Sequence, residues 1–562
     1  MNSATHHTVR VFFRPIPRAL WAFWVGSFVF SVGLFAALPT ATVVFPSGGT
    51  IGRKTTVTVT GKLDPWPVEV WCSQPGVAFT AGKKAGEYTV DIAATVKPGP
   101  CLVRFHNGEG ASEPLTFVGG MVAEILEVEP NTSLAAPQVV KTLPVTINGK
   151  LEQSEDADLF QVSLKKGQTL VAHAESYSLG APMDALIQIF DAAKGLRGFA
   201  HDNWVNLDPE IAFVAPSDGD YTVAVMGFAH PPSSSISFAA SANAVYRLTL
   251  TTGPWLAEAV PAIIEAGRTR TTRLIGWNLA GKEGRQSDFP LPGVQAGQDP
   301  ALVTLPGGAS ALFLPVTTNR VLTEAEVTGL TGPFSVFGTL GKPKEVDHYS
   351  VTAKKGEIWR VQVIAQQRGS PLDAVLVVQN TEGKELKRAD DLGKYFRDAE
   401  LVWTVPADGT YQLLVSDLFG KGGFDYTYEC RLSPSVADFR VLASASAMLL
   451  EAGKSVEVKM KLERLNGHKA ALTATIPELP PGVSLEPVKI PEKPGDFSLT
   501  LKASPTAGTF HGPVKIVVKE AEGAQPTQHE AVFSFQDAAT SRGPRLIDET
   551  TDLWLTVKPV KK

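Results

Sequence analysis

Apolar and polar residues alternate along most of this chain. Thr56-Val57-Thr58-Val59-Thr60, Leu186-Ile187-Gln188-Ile189-Phe190, Tyr221-Thr222-Val223-Ala224-Val225, Trp359-Arg360-Val361-Gln362-Val363 and Val456-Glu457-Val458-Lys459-Met460 are rich in β-branched and aromatic residues set in a two-residue rhythm. That rhythm places one set of side chains on one face of a pleated strand. Asp-Gly, Pro-Gly and Gly-Gly pairs interrupt the runs at intervals of about ten residues, the spacing of a β-sandwich. No long segment keeps a 3.6-residue period. The pattern predicts an all-β chain of tandem β-sandwich modules, ending on the strand Trp554-Leu555-Thr556-Val557-Lys558.

The N-terminus breaks this pattern. Arg10, Arg14 and Arg18 precede Ala19–Leu38, which carries no charge. A basic start before an apolar run reads as an export signal. A run of about 20 apolar residues is also long enough to span a bilayer as a helix. Two readings stay open over residues 1–41: a signal peptide cut near Ala37–Ala41, or an uncleaved signal-anchor helix. Both place the rest of the chain in the periplasm, on the cell surface or outside the cell.

Two repeats are interleaved. Gly149-Lys150-Leu151, Asp158-Leu159-Phe160 and Lys165-Lys166-Gly167 recur as Gly338-Thr339-Leu340, Asp347-His348-Tyr349 and Lys354-Lys355-Gly356, each 189 positions on, as from Gly149 to Gly338. The offset becomes 182 by Tyr246 and Tyr428, because the first copy has a longer loop around Pro231. Upstream of each copy, Pro46, Gly52-Arg53, Thr56 and Gly61 match Pro261, Gly267-Arg268, Thr271 and Gly276, all 215 positions on. The chain therefore reads A–B–A′–B′ followed by a C-terminal unit. The predicted modules are 42–120 (A, immunoglobulin-like), 121–252 (B), 253–331 (A′, immunoglobulin-like), 332–433 (B′) and 434–562 (C, immunoglobulin-like).

The B units have a further resemblance. Glu127-Val128-Glu129-Pro130-Asn131, Asn148-Gly149, Asp156-Ala157-Asp158-Leu159-Phe160 and Ala215-Pro216-Ser217-Asp218-Gly219-Asp220-Tyr221 resemble the bacterial pre-peptidase C-terminal domain. B′ lacks the Pro-Asn pair, carrying Leu322-Thr323-Glu324-Ala325-Glu326-Val327 in its place. The resemblance implies a jelly-roll-like sandwich that serves as an accessory module on secreted enzymes, proteases above all, and is similar to collagenase collagen-binding domains. Those relatives bind calcium through carboxylates of their N-terminal segment. By resemblance, Glu127, Glu129, Asn131, Asp156 and Asp158 are the positions for calcium in B, and oxygen donors on a loop are what that ion requires. The alternative is turn chemistry, since Asp readily bonds its own backbone. In B′ only Glu345 and Asp347 align with these acids.

Composition narrows the function classes. Of 562 residues, 44% are hydrophobic and 19% charged, and the net charge is −5. That balance argues against a nucleic-acid partner, which calls for a basic face. The 50 Gly and 41 Pro suit many turns. The chain has no G-x-S-x-G, H-E-x-x-H, P-loop or G-x-G-x-x-G, and its ten histidines show no ligand spacing. The three cysteines are too few for a disulfide scaffold. Strand parity turns Cys72 and Cys101 into the same sandwich, so in an oxidising compartment a Cys72–Cys101 disulfide competes with two separate buried thiols. Cys430 aligns with Leu248 and reads as core. Trp403 aligns with Phe213 and reads likewise.

The expectation is a non-catalytic exported protein that binds or organises, with a protein or polysaccharide partner in the envelope or outside the cell. The alternatives are an accessory or targeting subunit of a secreted hydrolase, and an enzyme of unknown type.

Overall fold

The computed structural model describes residues 37–560, apart from 154–155, 232–235, 292, 299, 394–395, 524–525 and 538–544. The predicted signal or anchor, up to residue 36, lies outside the described residues. Among them no helix is long and apolar enough to cross a membrane. Every regular element described is a β-strand, apart from four 3-10 turns of three residues each. The fold is all-β and is built of many separate sheets.

The two B copies share one topology. In B, a five-stranded sheet runs Ala123–Leu126, Val145–Lys150, Val245–Thr251, Thr169–Glu175, Glu210–Val214. Its partner sheet runs Gln138–Val139, Asp158–Leu164, Gly219–Ala229, Met183–Asp191, Leu196–Ala200. In B′ the first sheet runs Arg320–Thr323, Phe334–Thr339, Thr427–Pro434, Ile358–Ile364, Ala399–Thr404, in the same order, its edge strand coming from before residue 332. The facing side chains, among them Ile147, Phe160, Val223 and Leu248 in B, are wholly buried, as are Val336, Val361, Leu413 and Cys430 in B′. Phe213 and Trp403 are both core residues, as their alignment predicts.

The A repeat is also a repeat of geometry. The first strand of A is Thr40–Phe45 and that of A′ is Trp255–Val260. Each bulges at the equivalent place, between Ala41 and Val43 and between Leu256 and Glu258. Gly61 and Gly276 pass over the start of these strands. A Cβ on either would stand 2.1 Å from the Thr40 carbonyl oxygen or 1.9 Å from that of Trp255. Only glycine allows that approach, so the spacing that defines the repeat is a steric requirement.

The modules are docked on one another. Arg104 lies opposite Cys101, Val103 and Phe105 on the strand Gly99–Asn107, yet it is only 1% exposed. Its outer face is covered by C: the guanidinium donates to the Ser446 carbonyl at 3.1 Å and to Ser446 Oγ at 3.2 Å. Ser446 Oγ in turn donates to Glu113 at 2.5 Å, and Lys558 reaches Glu109 at 2.6 Å. Burial lowers the Arg104 pKa to about 10. Between B and B′, the Gln366 amide donates to the Trp204 carbonyl at 3.2 Å and Arg397 lies over the Trp204 ring.

Candidate functional site

Glu127 and Glu129 sit just past the strand Ala123–Leu126, and Asp158 opens the strand Asp158–Leu164. The fold brings donor oxygens of all three carboxylates within 4.8 Å of one another. Tyr246 Oη donates to Asp158 Oδ2 at 2.6 Å and lies 3.2 Å from Glu127 Oε2. Glu127 Oε1 accepts from the Lys150 amide at 2.8 Å, and Glu129 Oε2 from the Asn131 amide at 2.9 Å. Asp158 and Asn131 are fully buried. Neither polar atom of the Asn131 side chain has a partner, and nor has Asp158 Oδ1. Burial, with Glu127 beside it, pushes Asp158 up to about 9, and burial raises Glu127 as well. Gly149 makes room for the cluster, since a Cβ there would fall 2.2 Å from Tyr246 Oη and 2.4 Å from Glu127 Oε2. The buried Asp158, the half-buried Glu127 and the exposed Glu129, beside an unpartnered amide, form a donor set that fits a hard cation. Asp156 has a different part: its Oδ2 accepts the Glu152 amide at 3.0 Å and holds the turn.

B′ keeps the frame of this site and alters its filling. Tyr428 Oη donates to Asp347 at 2.5 Å, as Tyr246 does to Asp158. Glu345 accepts the Lys342 amide at 3.1 Å and holds the turn, as Asp156 does. The counterpart of Glu127 is Glu324, which the alignment missed. It faces the Thr339 amide at 3.4 Å, the position equivalent to Lys150. Glu326 is engaged by Arg268 at 2.7 Å and by Arg270 at 3.0 Å. The Tyr349 hydroxyl, at the position of Phe160, lies 2.5 Å from Tyr428 Oη.

A cleft of about 570 Å³ opens between A, B, A′ and B′. Trp204, Trp255 and Trp277 line it together with Glu175, Glu210 and Arg247. Trp255 Nε1 donates to Glu210 at 3.1 Å, and His173 Nδ1 lies 3.5 Å from the same carboxylate. Arg285 stacks between Trp277 and Phe424, 4.7 Å and 4.6 Å from their ring centres. Trp204 is 46% exposed, the most open indole of the three. Trp66 instead packs on Tyr88 and donates to the Gly82 carbonyl inside A.

Cys72 and Cys101 face each other as thiols, with sulfurs 3.4 Å apart. The facing sulfur and burial push the Cys101 thiol up. Cys430 is wholly buried, and burial raises it to about 12. Asp184 pairs with His201 at 3.1 Å, while its counterpart Asp373 is buried near Asp417, Asp391 and Arg397.

Sequence reasoning missed Asp208 and Asp398. Asp208 accepts the amides of Ser176, Tyr177 and Ser178, and Asp398 those of Ala365, Gln366 and Gln367. Each carboxylate, 1% exposed, anchors the 3-10 turn of its copy. Their equivalent positions in the repeat are the signal that could have found them.

No known family's profile matches the chain. A stretch of 103 residues is 34% identical to a probable subtilase-type serine protease of Deinococcus radiodurans, spanning 18% of this chain and 14% of that protease. Among solved structures, the M60 catalytic domain with two CBM51 domains from Clostridium perfringens ZmpB aligns at 8% identity and a TM-score of 0.14, over 72% of this chain and 55% of that one. The S-layer protein rSbsC aligns at 11% identity and a TM-score of 0.13, over 88% and 54% respectively.

Proposed function

We propose that this chain is an exported, non-catalytic binding protein whose B modules are pre-peptidase C-terminal domains and whose partner is a polysaccharide. The carrying observation is the four-module cleft. Its volume lies in the range of ligand sites, and the open Trp204 indole, with charged side chains along the same cleft, is suited to stack on a sugar ring. Of the histidine–carboxylate pairs, His173–Glu210 lies in the cleft wall, while His201–Asp184, His468–Glu520 and His529–Asp438 lie apart from it, and His468 also engages Arg464. The test is retention of the full chain on immobilised envelope and extracellular polysaccharides. Retention lost in Trp204→Ala supports the reading, and a chain that no polysaccharide retains overturns it.

Calcium belongs to this reading as a stiffener. Glu127, Glu129, Asp158 and the Asn131 side-chain oxygen would hold it, with Asp156 shaping the loop. The ion would neutralise the facing carboxylates and tie the opening segment of B to the strand that opens at Asp158. Calorimetric titration of calcium, with Asp158→Asn as the control, tests this part separately.

The match to a protease favours a second reading, an accessory subunit for a secreted hydrolase. Copurification of the chain with a hydrolase activity from the culture fluid distinguishes it.

A further inference from the structure

A second cluster of donor atoms lies where the first module meets the last. Glu69 and His106 face each other across the paired strands Glu69–Cys72 and Gly99–Asn107 of A. His511 comes from the strand Phe510–Val514 of C, more than four hundred residues away in the chain. Donor atoms of the three side chains all lie within 4.8 Å of one another, and His106 Nδ1 is 3.9 Å from Glu69 Oε2. The His106 side chain is only 9% exposed, and its Nδ1 has no hydrogen-bond partner. The ring is fixed by Trp554, whose centre is 4.6 Å away, and Trp554 is itself buried. Glu69 and His511 are exposed on either side.

A buried imidazole nitrogen without a partner is costly unless something binds it. Here two further donors converge on it from the solvent side, one of them from another module. From these positions we infer that Glu69, His106 and His511 form a site for a divalent transition ion of the zinc type, which staples C to A. Two imidazoles and one carboxylate are a ligand set that such an ion accepts, with a fourth place left for water. Ligands held tetrahedrally at ~2.1 Å lie about 3.4 Å apart. The exposed Glu69 and His511 have only to swing inward by roughly an ångström around the fixed His106 ring. The site shares no residue with the carboxylate cluster of B.

The experiment is titration of zinc into the metal-stripped full chain, read by calorimetry and by the rise in melting temperature. The visible absorption of a cobalt-substituted sample is followed in parallel. One equivalent is expected to bind. His511→Ala is expected to weaken binding on the order of 100-fold and to abolish the cobalt spectrum, and Glu69→Gln to weaken it about 10-fold. Both side chains are exposed, so the variants keep the fold without metal. Asp158→Asn is expected to leave the zinc isotherm unchanged. A chain with no saturable zinc binding, or one whose affinity survives His511→Ala, overturns the inference.

Discussion

Arg247 in B and Glu429 in B′ occupy the same place in the two copies and carry opposite charge. Arg247 stands opposite Asn148 and Glu175 in its sheet, and Glu429 opposite Phe337 and Ile364, every position shifted by the repeat. Both are buried. Arg247 is held between Glu124 and Glu175, and Glu429 between Arg368 and Arg431. The fold at this point requires a satisfied buried charge and is indifferent to its sign. Removing the central member leaves two like charges facing each other without their counterion. Arg247→Ala is expected to destabilise its module by about 3–5 kcal/mol, and Glu429→Ala by a similar amount. Calorimetric melting of the full chain checks this, and an unshifted transition in either variant would contradict it.

Glu258 ties A′ to B′ by accepting the Thr427 hydroxyl at 2.5 Å. Burial raises its pKa from the ordinary value near 4.5 to about 7. Between those values the folded chain holds a proton that the unfolded chain has released, so this residue's contribution to stability falls as the pH rises. The loss across that window is on the order of 3 kcal/mol. Glu258→Gln is expected to remove this component: the variant gains on the wild type from pH 5 to pH 8. Parallel stability–pH curves for the two proteins would refute the assignment.

The Cys72 and Cys101 sulfurs need little movement to bond. Mild oxidation is expected to lower the thiols titrated in denaturant from the full three to one, leaving Cys430. Closing this loop stabilises A by about 3–4 kcal/mol on the chain-entropy account. Cys72→Ser is expected to abolish both effects. Three thiols after oxidation would show that the pair does not close.

Asp398 accepts three backbone amides at once. Asp398→Ala leaves those donors without acceptors in a buried site and is expected to cost about 2–4 kcal/mol. Asp398→Asn, which keeps one acceptor oxygen, is expected to cost about half as much. Denaturant midpoints of the B′ transition decide it.

Strands and repeats were legible in the sequence because both follow from local constraints. Val57 and Val59 alternate because one face of their strand is core, and Gly61 and Gly276 recur because the carbonyls beneath them exclude a side chain. The carboxylate site was partly legible. Glu127, Glu129 and Asp158 come together because Asn148-Gly149 and the Asp158 strand fix their neighbours. Asp156 and Asp158, two residues apart in one motif, separate in role because one faces the turn amides and the other faces Tyr246. Glu324 was hidden because B′ shortens the segment between it and Asp347, so counting residues from Asp347 misses it. Contacts such as His106 with His511 leave no trace in spacing, since they depend on how whole modules dock.

The Arg104–Ser446 junction gives the chain the connectivity of a loop whose ends are clasped. A protease that cuts one exposed turn between the first and last modules would yield two polypeptides, yet each would remain bound to the other through the clasp. Such a particle keeps its first and last modules joined after nicking.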